Sequence, residues 1–142
     1  MDKALNYLAL AKKGRLIELG EEPVGAITRA VKGRLVIVAS DASDHTWRRA
    51  KSFVAGTDQQ CLRVPFTKEE LGFVVGRTSL AIAAFTDVSM ALAFVKALPE
   101  QEKVKKEAEI LEAKSKKMRQ RKKEADAHKK NVRFGKKKVS NQ

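Results

Sequence analysis

Apolar positions along the chain switch repeatedly between helical and extended spacing. In ALNYLALAKK, Leu5 and Leu8 stand one turn apart and two lysines precede Gly14, so a helix ending on a glycine cap is expected. RLIEL follows as a short strand that stops at Gly20. EEPVGAITRAV carries Val24, Ile27 and Val31 at helical spacing. Its Pro23 lies in the first turn, where a missing N–H costs nothing, and its acids suit the positive end of the helix dipole. RLVIVAS is a continuous β-branched run of the kind found in a strand covered on both faces.

The second half repeats the alternation. Ser43 is placed to cap a helix whose Trp47, Ala50 and Val54 face one way until Gly56. CLRV is a brief strand, and TKEELGFVVG opens with Thr67 and Glu70 in capping-box register and closes at Gly76. LAIAAF reads as a further buried strand, followed by a helix in DVSMALAFVKAL with an apolar stripe of Val88, Ala91, Leu92 and Val95. The order α-β-α-β-α-β-α-β-α predicts an α/β fold, a three-layer α-β-α sandwich around a four-stranded sheet. No internal repeat is present.

Composition changes at Pro99. Residues 1–99 hold 14 Lys and Arg against 10 Asp and Glu, whereas 100–142 hold 16 against 7. The expected organisation is an α/β domain over 1–99, a charged helix over 100–130 and a basic disordered tail over 131–142, the last two forming a C-terminal basic helical extension. In the helix, only Val104, Leu111 and Met118 recur every seven residues. So narrow a seam predicts that the extension does not bury itself against the domain, which should fold without it.

A net charge of +13 over 142 residues points to a polyanionic partner, because neutralising phosphates releases their counterions. Nucleic acid is favoured over a membrane surface: no apolar run is long enough to span a bilayer, and the first residues lack a cleavable leader pattern, so a cytoplasmic protein is expected. One cysteine, Cys61, and two histidines provide no metal-ligand cluster, and none of the common nucleotide or nucleophile motifs occurs. Neither a metal, a cofactor nor a catalytic residue is expected.

Three local features have competing readings. Asp41 and Asp44 follow a buried strand, a place where enzymes put magnesium ligands, but helix capping is the commoner role. Trp47 shares a helix face with Ala50 and Val54, so packing is favoured over base stacking. Arg48, Arg49 and Lys51 read as a solvated helix surface, while Lys12, Lys13 and Arg15 are concentrated by a turn near the first strand.

Three anchors in order, Gly20-Glu21-Glu22 before the second helix, LVIVASDAS as strand and loop, and EELG followed by Gly76, make residues 2–98 resemble the kink-turn RNA-binding ribosomal protein family, specifically the bacterial YlxQ-like branch of the L-seven-Ae group. The resemblance implies an α-β-α sandwich that binds structured RNA, ribosomal RNA above all, without catalysis. It implies contacts from the loop before the second helix, the start of that helix and the loop before the last strand. On this chain those places hold Gly20, Glu21, Glu22 and Arg29 on one side and Arg77, Thr78 and Ser79 on the other.

A carboxylate is a hydrogen-bond acceptor only, so Glu22 suits the amino and imino groups that a sharp bend exposes on purine pairs. Glu21 and Glu22 would otherwise serve only to complement the helix dipole. Many family members carry Asn-Glu-x-x-Lys here, whereas this chain has Glu22, Pro23 and Ala26. Arg29, about one turn beyond Ala26, is the candidate replacement for the lysine. Arg77 suits a phosphate or a base face, and Thr78 and Ser79 suit backbone or sugar.

A second reading, from a different class, is a protein-interaction or ribosome-assembly factor acting through the C-terminal helix. A third is an α/β enzyme built on Asp41.

Overall fold

A computed structural model describes the backbone of residues 2–140 and, within it, the side chains as far as residue 127 apart from 126. Four strands, β1 (Ile17–Leu19), β2 (Leu35–Val38), β3 (Gln60–Arg63) and β4 (Ile82–Phe85), form one sheet in the order β1-β4-β2-β3. β2 and β3 are parallel, and β4 runs antiparallel to both β1 and β2. β2 and β4 are interior strands and every one of their residues is buried, as their unbroken apolar runs require.

The helices are α1 (Lys3–Lys13), α2 (Glu21–Arg29), α3 (Asp44–Val54), α4 (Lys68–Val74), α5 (Val88–Lys96) and α6 (Lys105–Ser140), with a 3-10 turn at Gln101–Val104. Sheet register assigns the layers. Phe85 pairs with both Ile17 and Leu35, so these three share a face, and Phe85 meets Phe94 of α5 with ring centroids 5.1 Å apart. Cys61 and Arg63 lie on the opposite face with Val36 and Val38, and Arg63 stands over the Trp47 ring of α3. The result is an α-β-α sandwich with α1 and α5 on one side and α3 on the other. Trp47 packs, half-buried, against the core, as expected from its helix face.

Caps fall where the sequence places them. Ser43 Oγ accepts from Thr46 N–H, and Thr67 and Glu70 form a reciprocal capping box. Asp41 is also a capping acid: its Oδ1 accepts from the Lys68 N–H at 2.8 Å, tying the loop after β2 to the start of α4.

Two expectations are corrected. The second helix does not reach Val31: it ends at Arg29, and Val31 adopts a left-handed conformation (φ 56°) and is 48% exposed. Its N–H donates to Thr28 O and the Lys32 N–H to Ile27 O, the double bond of a Schellman ending, so the helical spacing of Val24, Ile27 and Val31 overshoots by a residue or two.

The extension, in turn, docks on the domain. Val104 and Leu111 are buried with the core, Leu111 completely, and α6 packs on α5. The amide of Gln101 donates to Val95 O and Leu98 O, satisfying carbonyls at the end of α5. Lys114 Nζ donates to Asp58 O at 2.8 Å, and Lys96 and Glu112 pair at 3.8 Å. A narrow seam suffices because the helix lies along one edge of the sandwich and needs only one row of apolar side chains. Its backbone is helical past residue 130 to Ser140, through most of the stretch expected to be a disordered tail; 141 and 142 lie outside the described residues. Among the described residues, no helix is long and apolar enough to cross a membrane.

Candidate functional site

At one end of the sheet, β1, β2 and β3 finish and β4 begins, since Leu19 pairs beside Ala83 and Val38 is flanked by Ile82 and Arg63. The loops there converge: Gly20 N–H donates to Ile82 O, and Ala39 N–H to Ala81 O. The candidate residues therefore come from chain segments far apart in sequence but joined at one sheet end.

Gly20 is the N-cap of α2, with φ 96° and ψ 161°, a region essentially restricted to glycine. It has no side chain to cap the helix, so the first-turn N–H groups of α2 remain available to an external acceptor. A Cβ at Gly20 would lie 3.6 Å from Nη1 of Arg77, which brings the two halves of the expected site into contact.

The loop carrying Arg77, Thr78 and Ser79 is exposed, yet its backbone is fixed. Arg77 N–H donates to Gly72 O at 2.8 Å and Leu80 N–H to Lys68 O at 2.9 Å. Gly76 makes the turn with φ 77°, a conformation that favours glycine. EELG thus has a packing reason for its glycine: the loop backbone rests on Gly72.

The acids at the start of α2 have different surroundings. Glu21 forms an ion pair with Arg49 of α3, with both side chains about half exposed. Among the described residues, no ion pair or hydrogen bond engages the Glu22 carboxylate, so its acceptor capacity faces outward. Glu21, Glu22, Gly25, Arg29, Arg49 and Phe53 line a groove of 460 Å³ between α2 and α3. Arg29 folds back over Gly25, where a Cβ would lie 3.2 Å from its Nη1 and 3.3 Å from the Phe53 ring. Arg49 stands 5.5 Å from the centroid of that ring.

A second groove, along the free edge of β1, is lined by Lys12, Arg15, Pro23 and Arg77 among others. Arg15 holds a left-handed conformation (φ 57°) after Gly14, so the Schellman ending of α1 falls on a cation rather than on the glycine beside it. Sequence reasoning placed Lys12 and Arg15 near this strand but did not connect them to Arg77. Arg49 and Phe53 were missed: Arg49 reads as one of several solvated bases, and only the packing of α3 on α2 turns it toward Glu21.

The other reactive groups lie elsewhere. Cys61 faces the cleft between β3 and the start of α6, where burial, outweighing Lys51 nearby, pushes its thiol up to about 12 and keeps it protonated. No cluster of three or more His, Cys, Asp or Glu able to hold a metal occurs among the described residues.

The chain matches no protein-family model. Over 75 residues, 53% of this chain and 72% of the relative, it is 31% identical to the RNA-binding protein YlxQ of Enterococcus faecium. Among solved structures, it resembles a protein of unknown function from Bacillus halodurans C with a TM-score of 0.65 at 24% identity, covering 70% of this chain and 100% of that one. It also resembles the 15.5 kD RNA-binding protein of Giardia lamblia with a TM-score of 0.58 at 15% identity, covering 72% and 87%. These two structural likenesses bear on the fold.

Proposed function

Because the chain belongs to the YlxQ-like family of RNA-binding proteins, we propose that it recognises sharply bent, structured RNA, ribosomal RNA foremost, in the cytoplasm and without catalysis. The carrying observation is the meeting of Gly20 and Arg77. Bare backbone and open helix N–H groups from one loop stand beside a guanidinium from another, at the sheet end where Glu22 projects.

Each part has a chemical counterpart in a kinked RNA. The α2 N-terminus and Arg77 suit a phosphate, and Lys12 and Arg15 extend that positive surface along β1. Glu22 accepts from base amino or imino groups on Watson–Crick edges, which a straight duplex keeps paired. Acid at the centre and base at the margins thus favour exposed base edges over a plain duplex. Arg29, folded over Gly25 in the α2–α3 groove, lies where it can take over the contact that the family's lysine makes at the position of Ala26.

The test compares a kinked RNA with a straight duplex of matched length. The unaltered protein should prefer the kinked RNA. Glu22→Ala and Arg77→Ala should each weaken that binding by about 1–3 kcal/mol, the range for losing one good base contact, with little change in stability. Unchanged binding of the kinked RNA by both variants would refute the reading.

A further inference from the structure

The boundary at which α6 leaves the domain is also a boundary in charge. Among its described side chains Ser115 is the last buried one, and Met118, on the continuation of the Leu111 face, is 40% exposed. Residues 100–115 hold four Lys and Arg against five Asp and Glu, whereas 116–142 hold twelve against two. The docked part is close to neutral, and the part past the docking row carries most of the chain's excess positive charge.

The direction of the helix follows from its contacts. Near its start, Val104 and Glu107 share a cleft with Cys61, Arg63 and Val64, toward the sheet end that holds the candidate site. Seven residues on from Glu107, Lys114 binds Asp58, which precedes that strand at the opposite end. α6 therefore runs antiparallel to β3 and leaves the domain at the end remote from Gly20 and Arg77. At 1.5 Å per residue, 116–140 extends about 37 Å further.

We infer that this distal part of α6 is a second RNA-binding surface, a phosphate-binding arm directed away from the candidate site, with duplex RNA as its partner. Lys116, Lys117, Arg119, Arg121, Lys122 and Lys123 are all exposed. Successive residues turn by about 100°, so these six surround the helix instead of leaving an apolar face, which disfavours a bilayer and suits the phosphate rows of a duplex groove. Taken with the proposed function, on which this last step rests, the chain holds two RNA segments at its opposite ends.

The experiment uses the full chain and a six-fold variant, Lys116→Gln, Lys117→Gln, Arg119→Gln, Arg121→Gln, Lys122→Gln and Lys123→Gln; glutamine keeps helix propensity while removing charge. A labelled straight RNA duplex is titrated into each protein, alone and after saturation with a short-armed kinked RNA. The unaltered chain should capture the duplex in both states, and the variant should lose it while binding kinked RNA as before. For six phosphate contacts, the slope of log affinity for the duplex against log salt should flatten by about four to five units. Unchanged duplex capture by the variant, or one-for-one competition between the two RNAs on the unaltered chain, would overturn the inference. Glu22→Ala with Arg77→Ala separates the two readings: if it leaves kinked-RNA binding intact, the site reading fails while the arm stands on duplex capture.

Discussion

A Cβ on Gly72 would stand 2.8 Å from the Ser79 amide nitrogen, and as close to the Arg77 carbonyl oxygen. Both are backbone atoms of the loop that carries the candidate contacts, so α4 supports that loop through a bare Cα. Gly72→Ala should thus act in two opposing ways. Alanine favours the helix by about 0.8–1.0 kcal/mol, but the overpacking costs typically 1–3 kcal/mol, and the loop must move. A net loss of about 1 kcal/mol is expected in denaturant titration, with weaker binding to kinked RNA. A raised midpoint with unchanged binding would show that the loop is not held by this contact.

Gly20 differs in kind. The space around it accepts a Cβ at ordinary contact distances of 3.6 and 3.8 Å, so the obstacle is the backbone, at φ 96° and ψ 161°. Gly20→Ala should cost about 1–3 kcal/mol of stability, a penalty for a conformation that is essentially glycine's alone. The family resemblance enters Gly20 only as an expected RNA contact; its backbone geometry gives it a structural role as well. Equilibrium unfolding of Gly20→Ala checks this, and a midpoint equal to the parent's would mean that the loop adopts another conformation.

The layers and the caps were legible because they depend on local chemistry: the unbroken apolar run at 35–38, and Ser43 and Thr67 at helix starts. The convergence of Gly20 with Arg77 was legible only through family resemblance, since 57 positions separate them and no periodicity connects the two loops. Arg49 beside Glu21 depends on how α3 lies against α2, which no local pattern encodes. The docking of α6 is not legible for a related reason: Val104 and Leu111 look sparse on an isolated helix, but α5 offers a matching surface.

Val31 ends α2 in a left-handed conformation at a position that usually holds glycine. A non-glycine residue there costs about 1–2 kcal/mol, more for a β-branched one, while glycine recovers this at the expense of about 0.5–1 kcal/mol of unfolded-state entropy. Being 48% exposed, Val31 loses little burial when truncated. Val31→Gly is expected to stabilise the protein by about 0.5–1 kcal/mol, visible as a higher denaturation midpoint at unchanged slope. A lower midpoint would mean that the valine side chain contributes packing that outweighs its strain.

Two truncations separate the docked part of α6 from its arm. Ending the chain after Pro99 removes Leu111, fully buried, and Val104, 5% exposed, and uncovers the surface of α5 on which α6 packs. Burying one such side chain stabilises by about 1.5–3 kcal/mol, so the 1–99 fragment should be less stable by about 3–5 kcal/mol, a large part of a small domain's total. It should also be prone to self-association through the bared apolar surface. Ending the chain after Arg119 keeps Val104, Leu111, Lys114 and Ser115 and should leave stability within about 0.5 kcal/mol of the full chain, as for changes on exposed surface. The decisive comparison is urea denaturation of the three lengths at matched salt. Equal midpoints for 1–99 and the full chain would show that the seam contributes nothing and would leave the arm without a fixed direction; a fall already at 1–119 would place stabilising contacts in the distal helix instead.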